Sequence, residues 1–154
     1  MKRYTFDIGP TRWGVEKSTV PINGAPYLTR WILYFGVGTL RLHKFWRGDD
    51  DRASHTHPWW FITFPLAHYR ERIFDRGTPC GNRFVSAFRF HFRPANYEHI
   101  VVGRLRLAQE PHFGSLYWTA DSRPFYTIVL TGGRAREWGF YPTPGCFINW
   151  REYK

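Results

Sequence analysis

Two imidazoles one residue apart, His55 and His57, sit just ahead of the aromatic run Pro58-Trp59-Trp60-Phe61. On an extended strand, residues i and i+2 project from the same face. The pair would offer two neutral nitrogens to one divalent cation, from a backbone that holds them still. The plainer alternative is a pair of exposed histidines on an edge strand. A chain with 7 histidines in 154 residues can meet that spacing by chance. The stretch before the pair, Gly48 to Ser54, is a Gly-led polar loop carrying Asp49, Asp50 and Asp51. Those acids read as a solvated loop, or as carboxylates of which one orients a histidine from behind.

Composition bounds what can surround such a site. The length predicts a single domain over residues 1–154, with room for a proper core. Aromatic residues make up 20% of the chain, so that core is built on rings. No apolar run is long enough to cross a bilayer, and the segment from Met1 to Asp7 lacks the apolar centre of a signal peptide. The expectation is a cytoplasmic protein with no membrane partner. Cys80 and Cys146 lie in separate Pro/Gly turns and read as two unpaired thiols.

The charge is more pointed. Against 12 Asp+Glu stand 22 Lys+Arg, a formal +10. Most of the cations are arginine, which favours an anionic partner: a nucleic acid, a nucleotide or an acidic metabolite. Yet Arg83, Arg89, Arg93, Arg104 and Arg106 are scattered, as they would be on a solvated outer sheet face.

The elements that must position the histidines read as strands throughout. Pro and Gly interrupt the chain every ten residues or so, with aromatic and β-branched residues between them. Gly38 to Trp46 alternates, setting Leu40, Leu42 and Trp46 opposite Arg41, His43 and Phe45. Trp59 to Phe64 is a short buried strand, and His68 to Phe74 a more polar one. Asp75 to Gly81 reads as a turn, Val85 to Phe92 as a strictly alternating strand, and Arg93 to Asn96 as a second turn. Tyr97 to Val102 is the strand leaving it, and Pro124 to Thr131 is the most apolar of all. Roughly eight to ten strands in one domain predict an all-β, double-sheet jelly roll.

These residues resemble the cupin superfamily. Gly48, His55 and His57 match its first motif with one extra loop residue, and Pro94-Ala95-Asn96-Tyr97-Glu98-His99 matches the second, with His99 in the ligand position. The likeness spans roughly residues 38–152 and implies the double-stranded β-helix. At positions 61 and 62, where the family usually has a glutamate, stand Phe61 and Ile62. The resemblance therefore implies a metal site of three histidines, His55, His57 and His99, as in the thiol-dioxygenase branch, which binds Fe(II) and oxidises a thiol with O₂. Fe(II) is the preferred metal, and Zn, Mn or Ni also suit such ligands. Glu71 is a replacement ligand at an irregular spacing. A wider string, including Tyr69-Arg70-Glu71 and Leu130-Thr131-Gly132, is similar to small cupin-like proteins of phage and bacterial genomes. Cupins often dimerise, so a homodimer is implied as well.

Without a protein carboxylate, the ligand shell keeps the full charge of a divalent ion and would attract a small anionic substrate. Arg41 and His43 are the candidates to bind its carboxylate or phosphate, although His43 reads equally as an outward strand residue. Trp59 and Tyr126 are candidates for the substrate cavity, and Tyr69 and Glu71 for catalytic groups; each also reads as packing. His68, His91 and His112 lie outside both motifs. The leading function is an Fe(II) oxygenase. The second is a non-catalytic binding module for a nucleotide or other anionic ligand, and the third a nucleic-acid binder. A metal-free sugar-nucleotide epimerase would need a His base paired with a Tyr acid, and no such pair is identifiable in the sequence.

Overall fold

Alternation decides which way each strand of this chain faces, and it does so against the usual polarity. In the computed structural model, which describes residues 1–48 and 52–153, the strand from Gly38 to Phe45 turns Arg41, His43 and Phe45 inward and leaves Leu40 and Leu42 outside. The acidic loop residues Asp49, Asp50 and Asp51 lie outside the described residues.

All regular structure among the described residues is strand. In chain order the strands are β1 (Lys2–Ile8), β2 (Thr11–Ile22), β3 (Ala25–Gly36), β4 (Gly38–Phe45), β5 (Ser54–His55), β6 (Phe61–Pro65), β7 (Tyr69–Asp75), β8 (Thr78–Val85), β9 (His91–Arg93), β10 (Glu98–Gln109), β11 (Leu116–Asp121), β12 (Phe125–Thr131), β13 (Gly139–Thr143) and β14 (Cys146–Asn149). One seven-stranded sheet runs β1-β2-β3-β4-β12-β6-β9. The other runs β14-β13-β5-β10-β7-β8, with β11 also paired to β10. Every pairing is antiparallel, and β12 joins β4 to β6 across a long stretch of sequence. This is the expected jelly roll, with more strands than the sequence suggested. No helix among the described residues is long and apolar enough to cross a membrane.

Two local expectations are corrected. The turn read over Asp75–Gly81 is only Arg76-Gly77, where both residues have positive φ, and Thr78 already belongs to β8. Asn23-Gly24 makes the same kind of turn between β2 and β3, the geometry that suits the twist of a tight hairpin. The strand read over Val85–Phe92 is broken. Phe88 has φ of 58° and the chain leaves one sheet for the other here, so Phe88, Phe90 and Phe92 stay exposed. The first 37 residues, outside the motif-bearing stretch, build three strands that widen the first sheet and lend Tyr27 and Leu28 to the core.

That core closes one end of the roll. Tyr27, Leu28, Phe45, Tyr69, Val85, Val101 and Phe125 pack together, and Phe125 stacks between Phe45 (4.9 Å between ring centres) and Tyr69 (5.3 Å). Truncating a buried ring forfeits its transfer energy and leaves a cavity. Phe125→Ala is therefore expected to lower unfolding free energy by about 3–5 kcal/mol, read as a shift of the urea midpoint at unchanged slope.

Candidate metal centre

Three short tethers bring the histidines together. β5 is only two residues long, and it is wedged between β10 and β13, where His55 pairs with His99 on one side and Phe140 on the other. His57 lies just beyond the strand. Its position is fixed by two backbone hydrogen bonds, from the Thr56 amide to the Gly139 carbonyl (3.1 Å) and from the His57 amide to the Ala95 carbonyl (3.2 Å). The Ser54 hydroxyl donates to buried Glu98, whose same oxygen accepts the Gly77 amide at 2.9 Å, so the start of β5 is tied to the β7–β8 turn. At Gly48, which leads the loop, an added Cβ would come within 2.0 Å of the Val102 carbonyl oxygen. Only glycine lets the loop backbone approach β10 so closely.

The outcome is a cluster in which one nitrogen from each of His55, His57 and His99 lies within 4.8 Å of the others. His57 Nε2 and His99 Nε2 are 3.0 Å apart. Metal–imidazole bonds of about 2.0–2.1 Å place neighbouring ligand nitrogens about 2.9–3.4 Å apart, so this pair already has ligand spacing. His55 Nδ1 is buried without a hydrogen-bond partner. Burial, reinforced by the neighbouring rings, holds His55 and His57 well below the usual imidazole range. A neutral ring keeps one nitrogen lone pair to offer, and the residues fit a divalent ion. Phe61, at the position where the family usually has an acid, packs its ring 4.7 Å from His57, so this wall of the site is apolar.

Glu71 stands behind the cluster rather than in it. Its Oε1 lies 3.3 Å from His99 Nδ1, which turns His99 Nε2 toward His57. The remaining capacity of the carboxylate is used by the Tyr69 hydroxyl (2.8 Å), the Tyr97 hydroxyl (2.8 Å) and the Arg93 guanidinium (3.0 Å). Burial would raise this carboxyl, but His99, Arg93 and Tyr97 outweigh it and keep it ionised. Burial and then Glu71 raise both phenols, Tyr97 to about 12. Glu71, expected as a replacement ligand, is not one of the three clustered residues: it faces His99 from behind, and Tyr69 is fully occupied as its donor. Arg93, read from sequence as an outer-face cation, is 1% exposed and faces inward.

A cavity of about 440 Å³ opens over the histidines. Arg41 and His43 line it from β4 and Trp59 from the loop before β6. The Arg41 guanidinium lies 4.4 Å over the Trp59 ring, and its Nε donates to Thr39 at 2.7 Å. Burial and the nearby charge of Arg30 bring Arg41 down to about 10, so it still carries its charge at neutral pH. Burial and these two arginines push His43 well below the usual imidazole range, and its Nε2 has no partner. Tyr126 is elsewhere. The alternation of β12 points Thr127 and Val129 inward, which leaves Tyr126 on the outer face near Lys44. Sequence reasoning missed Arg30, which lines the same cavity from β3 with its Nε unpartnered. It also missed the stacked pair Trp138 and Trp150 on the opposite wall. A cation on an inward-facing row would have been the signal for Arg30, but that row cannot be told from the outer one without the neighbouring strands. His68 accepts the Ala87 amide and His91 bonds the Ser86 carbonyl, so both are structural.

Comparison with known proteins supports the fold. No protein-family model and no curated protein matches the sequence. Among solved structures, the chain is similar to Fe(II)-HppE with alternative substrate (S)-1-HPP (TM-score 0.56, 10% identity, 76% of this chain and 55% of that one). It is also similar to hydroxypropylphosphonic acid epoxidase from S. wedmorenis (TM-score 0.52, 10% identity, 75% of this chain and 55% of that one). This chain thus spans about half the length of those proteins. Its fold is the cupin-type jelly roll that the sequence resemblance implied.

The Glu71 network sets a pH dependence of known sign. A carboxyl whose pKa is lower in the folded chain than its ordinary 4.5 stabilises the fold fully above that value. As pH falls below it, the unfolded chain takes up the proton first and the stabilisation drains away. Glu71→Gln leaves the Arg93 charge buried and unpaired, a loss of about 3–5 kcal/mol. Urea unfolding at neutral and acid pH should show that loss at neutral pH and a flatter acid slope than the unsubstituted chain.

Proposed function

We propose that this chain is a cupin-type metalloprotein in which His55, His57 and His99 hold a divalent ion, Fe(II) before Zn, Mn or Ni, and that it acts as a non-haem oxygenase on a small anionic molecule. The observation that carries this reading is the pairing of a three-imidazole cluster with inward-facing, unneutralised cations in one cavity. Among the described residues neither Arg30 nor Arg41 forms an ion pair, whereas the only carboxylate lining the cavity, Glu71, is committed to Arg93. Ferrous iron bound there would supply an open coordination position and an electron source for O₂.

The protein's own groups then divide the work. Arg41 and Arg30 draw in and hold the anionic end of a substrate, because a charge-assisted bond inside a cavity is stronger than in water. Thr39 and Trp59 fix the Arg41 fork in place. Glu71 keeps the His99 ring in one orientation. Tyr69, its proton held on Glu71, serves as an anchor rather than an acid. Phe61 and Phe140 keep water from the histidines. The HppE structures contribute iron and a hydroxypropylphosphonic acid as a first metal and substrate to try.

A second reading, a non-catalytic receptor for a nucleotide or similar anion, is favoured by the stacked Trp138 and Trp150, whose planes are 8° apart on the cavity wall. The two readings separate on metal. The oxygenase reading predicts close to one equivalent of iron per chain by elemental analysis of freshly purified protein, and its loss in His57→Ala. Full metal content in that variant would remove the reading. Arg41→Met should keep the metal and weaken binding of a small phosphonate about tenfold or more. Phosphonate binding that survives chelation and shows no turnover would favour the receptor. Affinity for nucleic acid that falls steeply with salt and ignores Arg41→Met would place an anionic partner outside the cavity altogether.

A further inference from the structure

The cavity over the histidines holds more positive charge than one anionic group can balance. Arg30, Arg41 and Arg52 all line it, and its only carboxylate among the described residues, Glu71, is taken by Arg93. The three arginines are not gathered at one place. Arg30 and Arg41 are diagonal neighbours on β3 and β4, since Arg30 pairs with His43 and Ile32 with Arg41. At that spacing two long side chains on one face reach a common group. His43 stands beside them with its Nε2 buried and unpartnered, as is the Nε of Arg30. This group borders His57: after burial and the two other clustered histidines, Arg41 and then His43 lower the His57 imidazole.

Arg52 stands apart, against His55. It enters from the stretch before β5, and its guanidinium lies 4.9 Å over the Phe140 ring and 6.0 Å from that of Tyr27. Phe140 pairs with His55, and the two ring centres are 5.8 Å apart. After burial and His99, the charge of Arg52 lowers the His55 imidazole. Burial and then Arg30 lower Arg41, while Arg52 acts on neither of them. The histidine cluster thus has one cationic group on its His57 side and a second on its His55 side.

We infer that the ligand of this cavity is a small dianion with its charges at opposite ends of a short carbon chain, a dicarboxylate or a phosphonocarboxylate. One end sits on Arg41, Arg30 and His43, the other on Arg52, and the chain between them crosses the histidine cluster. An inward-facing cation without a counter-charge is costly, and a monoanion would relieve one end only. A volume of about 440 Å³ lies toward the small end of ligand sites, which suits a short chain. Arg52 is the residue that selects for the second charge. The inference rests on the reading of the cavity as an anion site, not on the identity of the metal.

Calorimetric titration of the full chain tests it. Malonate, succinate, glutarate and 3-phosphonopropionate are each set against the carboxyl monomethyl ester at one ionic strength. At least one diacid is expected to bind about tenfold or more tightly than its ester. Arg52→Met, which keeps an aliphatic stem over Phe140, should erase that preference and leave ester affinity within about twofold. Arg52→Lys restores the charge and should recover most of the preference, whereas a packing role alone predicts no loss in Arg52→Met. Arg106→Met, at an exposed position of β10, should leave the preference as it was, which separates a built site from net charge. Iron content of the same preparations should be equal throughout. If Arg52→Met does not fold, phenylglyoxal labelling of the unsubstituted chain decides instead: the diacid must shield Arg52 and its ester must not. No diacid preferred over its ester, a preference that survives Arg52→Met, one lost equally in Arg106→Met, or an unshielded Arg52 would each overturn the inference. Bound iron alongside any of these results leaves the oxygenase reading standing; no iron and no binding of either form removes both.

Discussion

A single buried carboxylate ties the two sheets to the candidate metal centre. Glu71 projects from β7 in one sheet, and Arg93, its ion-pair partner, projects from β9 at the edge of the other. The same carboxylate faces His99 and accepts the Tyr69 and Tyr97 hydroxyls. A charge that is 0% exposed is tolerable only when nearly every acceptor position is used, and here Tyr69 comes from β7 itself while Arg93, Tyr97 and His99 come from the segment that runs from β9 into β10. Satisfying Glu71 therefore fixes how β7, β9 and β10 meet, and with them the ring that points His99 Nε2 at His57. The orientation of the cluster and the closure of the roll are one constraint.

A polar interior follows from placing a charged cavity inside a β-sandwich. Each strand has two faces, and lining the cavity with Arg30, Arg41, His43 and several threonines leaves the other face to the leucines and aromatic rings. Usual sheet polarity is inverted over β1 to β4, β12 and β6. The main apolar cluster sits at one end, where Phe45, Tyr69 and Phe125 stack, and Phe61, Val129 and Phe140 are the apolar residues buried along the cavity. The fold's apolar surface is thus split between that plug and the outward rows.

This split accounts for both the successes and the failures of reading the chain by residue type. Gly38 to Phe45 alternates as clearly in the sequence as in the fold, so Arg41 and His43 share a face without any three-dimensional information. Which face looks inward is a different matter, because hydrophobicity normally decides it and here points the wrong way. Tyr126 was misplaced for the same reason: on β12, Ile128 and Leu130 look like core and lie outside. Arg93 failed the same test in the other direction, appearing as one more scattered surface cation while it is buried against Glu71.

By itself the sequence determined the all-β class, the positions of most strands and the three histidines, because period-two alternation and the His-x-His spacing are local properties that neighbouring residues impose on each other. Only the tertiary structure decided that His99 meets His55 across a two-residue strand, that Glu71 backs His99 from outside the histidine cluster, and that the sheet wears its leucines outside. Those outcomes depend on which distant strands pair and on which groups find partners once water is removed, and no stretch of chain carries that information alone.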